Sequence, residues 1–209
     1  METVVLARHG ESEPSAAGLV SGDPAEPSGL TETGREQARG LGRLLADEPI
    51  ELCVTSEFAR VHETADLALA GRHVPRLVVP ELNDVRFGEF EGRAFDEYRA
   101  WAGARDPTEA PAGGESRAEV AARYVRGFRI VLARPERLIL VVAHGLPLRY
   151  TLLAHAGLDP TPIVEQVPLA EPYRLRRAEL ERAVERLAHW AETPIWATAG
   201  PGFDSEKQG

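Results

Sequence analysis

Two uninterrupted apolar runs most constrain how this chain can fold. Residues 4–6 read Val-Val-Leu, and residues 138–142 read Leu-Ile-Leu-Val-Val. A strand with one face in water alternates apolar and polar residues, whereas a continuous apolar run needs cover on both faces. Such runs are typical of central strands in a parallel sheet that has helices packed on both sides. The two runs therefore predict an α/β domain with a buried sheet.

The rest of the chain alternates between strand-like and helix-like segments. Strands are predicted at residues 3–8, 52–56, 75–79, 138–143 and 163–169. Helices are predicted at residues 33–46, 58–70, 116–133, 147–156 and 177–191. This alternation indicates a three-layer α/β/α sandwich with a mostly parallel central sheet.

Local patterns add detail to this organisation. Thr33 and Glu36 have the spacing of a capping box at the start of the first long helix. The last helix carries an apolar stripe that packs either on the core or on a second copy of the chain in a homodimer; its residues are Leu180, Val184, Leu187 and Trp190. Residues 1–197 are expected to form a single domain, and residues 198–209 a flexible tail.

The chain is acidic, with a formal net charge of −9 at pH 7. Nucleic acids and anionic membranes are bound by basic faces, so neither is an expected partner. No apolar run approaches the roughly 20 residues that span a bilayer, and the start of the chain lacks a signal-peptide pattern. Cys53 is the only cysteine, which excludes an internal disulfide and a cysteine-based metal site. We expect a cytoplasmic protein.

Polar residues follow each of the predicted strands. Arg8 and His9 end the first strand, Arg60 lies just beyond the second, Asp84 follows the third, and His144 follows the fourth. Ligands of open α/β sheets bind outside the carboxyl ends of the strands. We therefore expect these five side chains to converge at one edge of the sheet.

Two histidines, two arginines and a carboxylate suit phosphoryl transfer. Planar guanidinium groups bind phosphoryl oxygens in a bidentate manner. A neutral imidazole can attack phosphorus and form a covalent intermediate. A carboxylic acid can protonate the leaving alkoxide and then accept a proton from water. The side chains thus indicate an enzyme that acts on a small phosphorylated substrate and releases inorganic phosphate, with no metal and no cofactor.

Six sequence blocks resemble one known family, in the same order along the chain. The blocks are 6–12 (Leu-Ala-Arg-His-Gly-Glu-Ser), 30–38, 55–65, 82–92, 113–116 (Gly-Gly-Glu-Ser) and 142–145 (Val-Ala-His-Gly). They resemble the histidine phosphatase superfamily, in its phosphoglycerate mutase-like branch. The resemblance covers residues 3 to about 157 and implies a phosphoglycerate mutase-like fold.

The resemblance also implies roles for individual residues. His9 takes the position of the nucleophile, and Arg8, Arg60 and His144 take the positions of the phosphate pocket. Asp84 stands where most of the family has a glutamate that acts as general acid. From the residues alone, Glu81 and Glu89 are alternatives to Asp84.

The same resemblance implies further contacts with the phosphate. Ser21 and Gly22 fall where members of the family contact the phosphate or the substrate. Residues 13–15 read Glu-Pro-Ser where the family usually has a Trp-Asn pair. Ser15 is then the candidate to replace the contact of the missing asparagine.

Three functions are compatible with these residues. The leading one is hydrolysis of a phosphomonoester on a small metabolite through a phosphohistidine on His9. A phosphoglycerate mutase would use the same groups but return the phosphoryl group to product. Mutases of the family carry a longer insertion between the acid-bearing block and the Gly-Gly-Glu block. In this chain only residues 93–112 separate the two blocks. The third alternative is a catalytically weak module that binds phosphate or a phosphopeptide.

Overall fold

The sheet has the predicted parallel centre. The computed structural model describes residues 1–26, 28–163 and 165–197. In this part of the chain the strands are β1 (Thr3–Arg8), β2 (Leu52–Thr55), β3 (Arg76–Val78), β4 (Leu138–Ala143) and β5 (Pro172–Arg176). They form one sheet in the order β3-β2-β4-β1-β5. The first four strands run parallel, and β5 pairs antiparallel with β1.

Helices cover both faces of this sheet. They are α1 (Glu13–Ala16), α2 (Glu32–Leu44), α3 (Ala59–Ala68), α4 (Phe95–Gly103), α5 (Arg117–Leu132), α6 (Gly145–His155) and α7 (Arg177–Glu192). Short 3₁₀ helices span Pro80–Leu82 and Gly88–Phe90. None of the helices in the described ranges is both long and apolar enough to cross a bilayer.

Alternate side chains of β1 enter two separate cores, which explains the continuous apolar run. Val4 and Leu6 are fully buried in one cluster, together with apolar side chains of α5, α6 and α7. Val5 and Ala7 are fully buried in the other cluster, with side chains of α2 and α3. Both faces of the strand are covered, so every position of the run is apolar.

The apolar stripe of α7 packs on the core. Leu180, Leu187 and Trp190 belong to the same buried cluster as Leu6, and Trp190 is 4% exposed. The Trp190 indole donates a hydrogen bond to the carbonyl oxygen of Ile195 at 2.8 Å. The interpretation that the stripe packs on the core is therefore correct, and the stripe is not available as a dimer face.

The fifth strand lies later in the chain than the predicted range, residues 163–169. No strand occurs at the described residues of 163–169, where Leu169 makes only an isolated bridge with Arg8. The strand at the sheet edge is β5, residues 172–176, in which Leu175 is buried and its neighbours are not. An edge strand with one buried face needs few apolar residues, so a search for apolar runs misses it. The predicted tail, residues 198–209, lies outside the described residues.

The first long helix begins earlier than the capping-box spacing of Thr33 predicts. Thr31 is the N-cap, and its side chain accepts a hydrogen bond from the Gly34 N–H at 3.0 Å. The Thr31 hydroxyl also donates to a carboxylate oxygen of Glu11 at 2.7 Å. This contact ties the helix start to the loop after β1, which fixes the cap by tertiary structure rather than by local spacing.

Helix α4 was not predicted from the sequence. Its Tyr98 ring packs edge-on against Phe87 at a centroid distance of 4.7 Å and against Phe90 at 5.7 Å. Both partners precede the helix in the chain, so much of the stabilisation of this nine-residue helix is tertiary. Isolated helices of this length are marginal in water, which is why periodicity alone gave a poor signal.

Two glycines allow the loop after β1 to touch the start of α2 through the backbone. A Cβ on Gly34 would lie 2.0 Å from the carbonyl oxygen of Glu11, and one on Gly10 would lie 2.4 Å from that of Gly34. Real Cβ atoms do not approach backbone so closely, so only glycine fits at these positions. The two residues that follow His9, Gly10 and Glu11, are thereby held against the start of α2.

We expect Gly34→Ala to destabilise the fold, because the new methyl group forces this backbone contact apart. Overpacking of this kind costs about 1–3 kcal/mol in the free energy of unfolding. The matched control is Gly40→Ala on the same helix, where the nearest atom to an added Cβ is a flexible Arg43 nitrogen at 3.6 Å. That variant should gain about 0.5–1 kcal/mol from helix propensity. Urea unfolding measures both, and equal stabilities of the two variants would contradict the packing argument.

Candidate active site

The carboxyl ends of the parallel strands open into a cleft of about 270 Å³. Arg8 ends β1 and His9 follows it, while Arg60 comes from the first turn of α3. His144 follows β4 as the N-cap of α6. Asp84 lies two residues beyond the 3₁₀ helix that follows β3. The structure thus brings together the five side chains that sequence reasoning expects at one edge of the sheet.

The ring of His9 is held in one tautomer. Its Nδ1 lies 2.7 Å from the carbonyl oxygen of Gly10. A carbonyl oxygen can only accept, so Nδ1 carries the hydrogen and Nε2 keeps a lone pair. Burial, followed by the charges of Arg60 and Arg8, holds the pKa of His9 well below its ordinary value. The ring is therefore neutral near pH 7, which is the form that can act as a nucleophile.

His144 is fully buried beside His9, with ring centroids 5.3 Å apart. Its Nε2 lies 2.8 Å from the Ser56 hydroxyl, and its Nδ1 lies 3.3 Å from Nη2 of Arg60. Because a guanidinium only donates, Nδ1 holds the lone pair and Nε2–H donates to Ser56. Burial and then the charge of Arg60 keep the pKa of His144 well below its ordinary value. Ser56 orients this ring, a role that its position after a strand did not reveal.

Arg60 is the central cation of the cleft and is 2% exposed. Its guanidinium lies 4.2 Å from the centroid of the Phe58 ring. Nη2 donates to the carbonyl oxygen of Ser21 at 2.9 Å, and Nη1 donates to the hydroxyl groups of Ser21 and Ser28 at 3.4 and 3.3 Å. Nε donates to Nε2 of His9 at 3.3 Å. These contacts fix the guanidinium next to the atom that would attack phosphorus.

Arg8 is held from the opposite side of the cleft. Its Nη1 donates to Oε1 of Gln166 at 3.0 Å and to the carbonyl oxygen of Val167 at 2.9 Å. Both acceptors belong to the segment that was predicted to be a strand. Sequence reasoning missed Gln166 because no local pattern marks a side chain that meets its partner 158 positions away.

Among the three candidate acids, only Asp84 lines the cleft in the described structure. Its Oδ2 lies 3.6 Å from Nη2 of Arg60 and 3.6 Å from Nδ1 of His144, and its Oδ1 accepts from the Val85 N–H at 3.0 Å. Burial raises the pKa of Asp84, and the charge of Arg60 opposes that rise. A raised pKa favours the protonated form of this carboxyl, which is the form that a general acid needs.

The three predicted phosphate contacts outside this set are placed differently from one another. Ser21 lines the cleft and contacts Arg60. Ser15 also lines the cleft, but its hydroxyl donates to the Ser12 carbonyl oxygen at 2.8 Å and accepts from the Ser12 N–H. Gly22 does not line the cleft, and its N–H donates to the carboxylate of Glu91 at 2.8 Å. The structure therefore brings Ser21 and Ser15 to the cleft but not Gly22.

Much of the cleft lining is apolar. Leu19, Val20, Phe87, Phe95 and Leu146 contribute to it. Arg149 is also at the cleft, where its Nη2 forms an ion pair with Oε2 of Glu165 at 2.8 Å. Within the described ranges no group of three or more His, Cys, Asp and Glu side chains is arranged to hold a metal ion.

Comparisons with known proteins agree with this geometry. The sequence pattern of the histidine phosphatase superfamily (branch 1) matches residues 4–193. The chain is 42% identical over 104 residues to the adenosylcobalamin/alpha-ribazole phosphatase of Salmonella typhimurium, a match that covers 46% of this chain and 50% of that protein. In that comparison the chain spans about half the length of its curated relative.

Two other relatives match over most of their length. The 2,3-bisphosphoglycerate-dependent phosphoglycerate mutase of Bartonella henselae is 32% identical over 182 residues, which covers 78% of this chain and 86% of the mutase. A solved structure from Escherichia coli K-12, described as a candidate alpha-ribazole-5'-P phosphatase, has a TM-score of 0.71 and 30% identity, and covers 84% of this chain and 90% of that one. This chain therefore belongs to branch 1 of the histidine phosphatase superfamily.

Proposed function

We propose that this chain hydrolyses phosphomonoesters of small metabolites through a covalent phosphohistidine on His9. The observation that carries the proposal is the hydrogen bond from Nδ1 of His9 to the Gly10 carbonyl oxygen, which leaves the lone pair of the ring on Nε2. The Nε2 lone pair accepts a hydrogen bond from Nε of Arg60, and a phosphoryl group that binds to Arg60 takes over that donor and frees the lone pair. Arg8 and Arg60 supply the positive charge that the equatorial phosphoryl oxygens need.

The first step forms a bond between Nε2 of His9 and phosphorus and breaks the ester P–O bond. The departing alkoxide takes the proton of the Asp84 carboxyl, which leaves a carboxylate. Positive charge that develops on the ring is stabilised by the Nδ1–H hydrogen bond to Gly10. A bound phosphate dianion favours the charged form of His144, which can then donate to a phosphoryl oxygen.

The second step returns the site to its starting state. The Asp84 carboxylate accepts a proton from a water molecule, whose oxygen attacks the phosphorus on His9. The N–P bond breaks, the electron pair returns to Nε2, and inorganic phosphate leaves. Asp84 ends the cycle protonated, so the proton balance closes without another group.

A phosphoglycerate mutase activity is the second candidate, supported by the similarity to the Bartonella henselae mutase over 86% of its length. A mutase transfers the phosphoryl group to a second position of its substrate, whereas a phosphatase transfers it to water. Incubation with phosphoglycerate, with and without 2,3-bisphosphoglycerate, separates the two by isomer formation against phosphate release. The relatives named as alpha-ribazole phosphatases favour a small metabolite as substrate, and a screen of phosphorylated metabolites with phosphate release as readout would identify it.

We expect His9→Ala to abolish turnover and to leave the fold intact. His9 lies at the end of a strand and its ring faces the cleft, so its removal opens that cleft rather than a core cavity. Rapid quenching with ³²P-labelled substrate should trap acid-labile phosphate on the wild type and none on the variant. Label on His9→Ala would place the nucleophile elsewhere, and a wild type that binds substrate without acquiring label would indicate a binding module.

We expect Asp84→Asn to slow the first step more strongly for an ester with a more basic leaving group. Benzyl phosphate releases an alkoxide that needs a proton, whereas 4-nitrophenyl phosphate releases a stable phenolate. In single turnover the variant should lose on the order of 10²–10⁴-fold on benzyl phosphate, the scale of acid–base catalysis, and much less on the nitrophenyl ester. Equal losses on both esters would rule out Asp84 as the acid.

Activity should persist in excess EDTA, because Arg8 and Arg60 already supply the positive charge that a metal ion would bring to the transition state. The measurement is phosphate release from the best substrate before and after prolonged dialysis against chelator. Loss of turnover that added Mg²⁺ or Zn²⁺ restores would contradict the mechanism.

A further inference from the structure

Arg123, on α5, lies outside the cleft and directly behind the loop that carries Asp84. Its Nη1 donates to the carbonyl oxygens of Glu81 at 3.0 Å and Asn83 at 2.8 Å. Its Nη2 donates to the carbonyl oxygen of Asp84 itself at 2.9 Å. Three main-chain carbonyl groups on one short loop are therefore gathered by a single guanidinium.

Glu115 completes the set of acceptors. Nε of Arg123 donates to Oε1 of Glu115 at 2.9 Å, and Nη2 donates to Oε2 at 2.8 Å. A guanidinium has five N–H donors in a fixed plane, and each of the five has an acceptor here. The Arg123 side chain is 14% exposed and that of Glu115 is 7% exposed. A lysine has three donors on a flexible stem and cannot reproduce this geometry.

Glu115 also binds the loop through its own backbone. Its N–H donates to the carbonyl oxygen of Arg86 at 3.0 Å, while its Oε2 accepts from the Arg86 N–H at 3.1 Å. Burial raises the pKa of Glu115, but the hydrogen bond and charge of Arg123 outweigh burial, and the pKa lies below its ordinary value. Glu115 is therefore an anion near pH 7, and the pair holds the loop on both sides of Asp84.

The position of this loop matters because the Asp84 side chain is short. An aspartate side chain is one methylene shorter than that of a glutamate. Its backbone must therefore lie closer to the cleft if the carboxyl is to reach the leaving-group oxygen. Its Oδ1 also accepts the Val85 N–H at 3.0 Å, which restricts the carboxyl further. A catalytic group displaced by about 1 Å can lose on the order of 100-fold in rate.

We propose that Arg123, anchored by Glu115, is a positioning residue that fixes the Asp84 backbone for proton transfer to the leaving group. This inference rests on the proposed function, because it requires Asp84 to be the general acid. Arg123 touches none of the reacting atoms. It holds the loop through the carbonyl groups that it binds, and its charge also lowers the pKa of Asp84 and of His144. Its effect must therefore appear in the protonation of the leaving group and not in phosphate binding.

The test compares Arg123→Met with the wild type in single turnover on benzyl phosphate and on 4-nitrophenyl phosphate. We expect a loss on the order of 10–100-fold on the benzyl ester, from displacement of the acid, and a much smaller loss on the nitrophenyl ester. Arg123→Lys should recover little, because it lacks the planar set of donors. The control is Arg126→Met, which removes an exposed arginine from the same helix and should behave as wild type on both esters.

A double variant decides whether Arg123 acts through Asp84. Once Asp84→Asn has removed the proton donor, Arg123→Met should add no further loss on benzyl phosphate, since two residues that serve one step are not additive. Equal losses on the two esters, or additive losses in the double variant, would overturn the positioning role. If Arg123→Met does not fold, Glu115→Gln is used, which keeps the shape of the anchor and should show the same dependence on the ester.

The same data separate this inference from the function on which it rests. If Asp84→Asn loses equally on both esters, the acid assignment fails and the positioning role fails with it. If the loss of rate in Asp84→Asn depends on the leaving group and the loss in Arg123→Met does not, only the positioning role is wrong. The identity of the nucleophile is tested independently by the labelling of His9.

Discussion

The site depends on keeping the Arg60 guanidinium out of water next to two neutral histidines. A buried cation costs several kcal/mol unless other groups offset it. Here the offset comes from the Ser21 carbonyl oxygen at 2.9 Å and the face of the Phe58 ring. The carboxyl of Asp84 stands 3.6 Å away. Together with burial, the same charge that is costly to bury lowers the pKa of His9 and so keeps the ring neutral.

This balance of charge also sets the state of Asp84. In the absence of substrate, Arg60 opposes the rise in the pKa of Asp84 that burial causes. A phosphate dianion bound to Arg60 would weaken that opposition and add a like charge, and both effects raise the pKa of the carboxyl further. Substrate binding therefore favours the protonated acid that the first step consumes. An aspartate, intrinsically more acidic than the usual glutamate, can serve in this position because its surroundings supply the shift.

Close contacts between backbones connect the sequence blocks that supply the site. Gly10 and Gly34 bring the loop after β1 onto the start of α2. Gly88 and Gly114 do the same for the acid-bearing loop: a Cβ on Gly88 would lie 2.3 Å from the carbonyl oxygen of Ala112, and one on Gly114 would lie 2.7 Å from that of Arg86. The second contact brings Glu115 beside the loop that Arg123 holds. Blocks far apart in the chain thus share one rigid support.

The sequence by itself determined the parallel centre of the sheet and the edge at which the candidate site lies. Continuous apolar runs require cover on both faces, and parallel strands bring their carboxyl ends together, so Arg8, His9 and His144 had to meet. Only the tertiary structure decided that Asp84 enters the cleft rather than Glu81 or Glu89, that the edge strand is β5, and that Arg123 binds the loop that carries Asp84. These outcomes depend on main-chain carbonyl groups and on contacts between distant segments. Every residue carries the same main-chain carbonyl group, so no side-chain pattern predicts which of these carbonyl groups a buried guanidinium will bind.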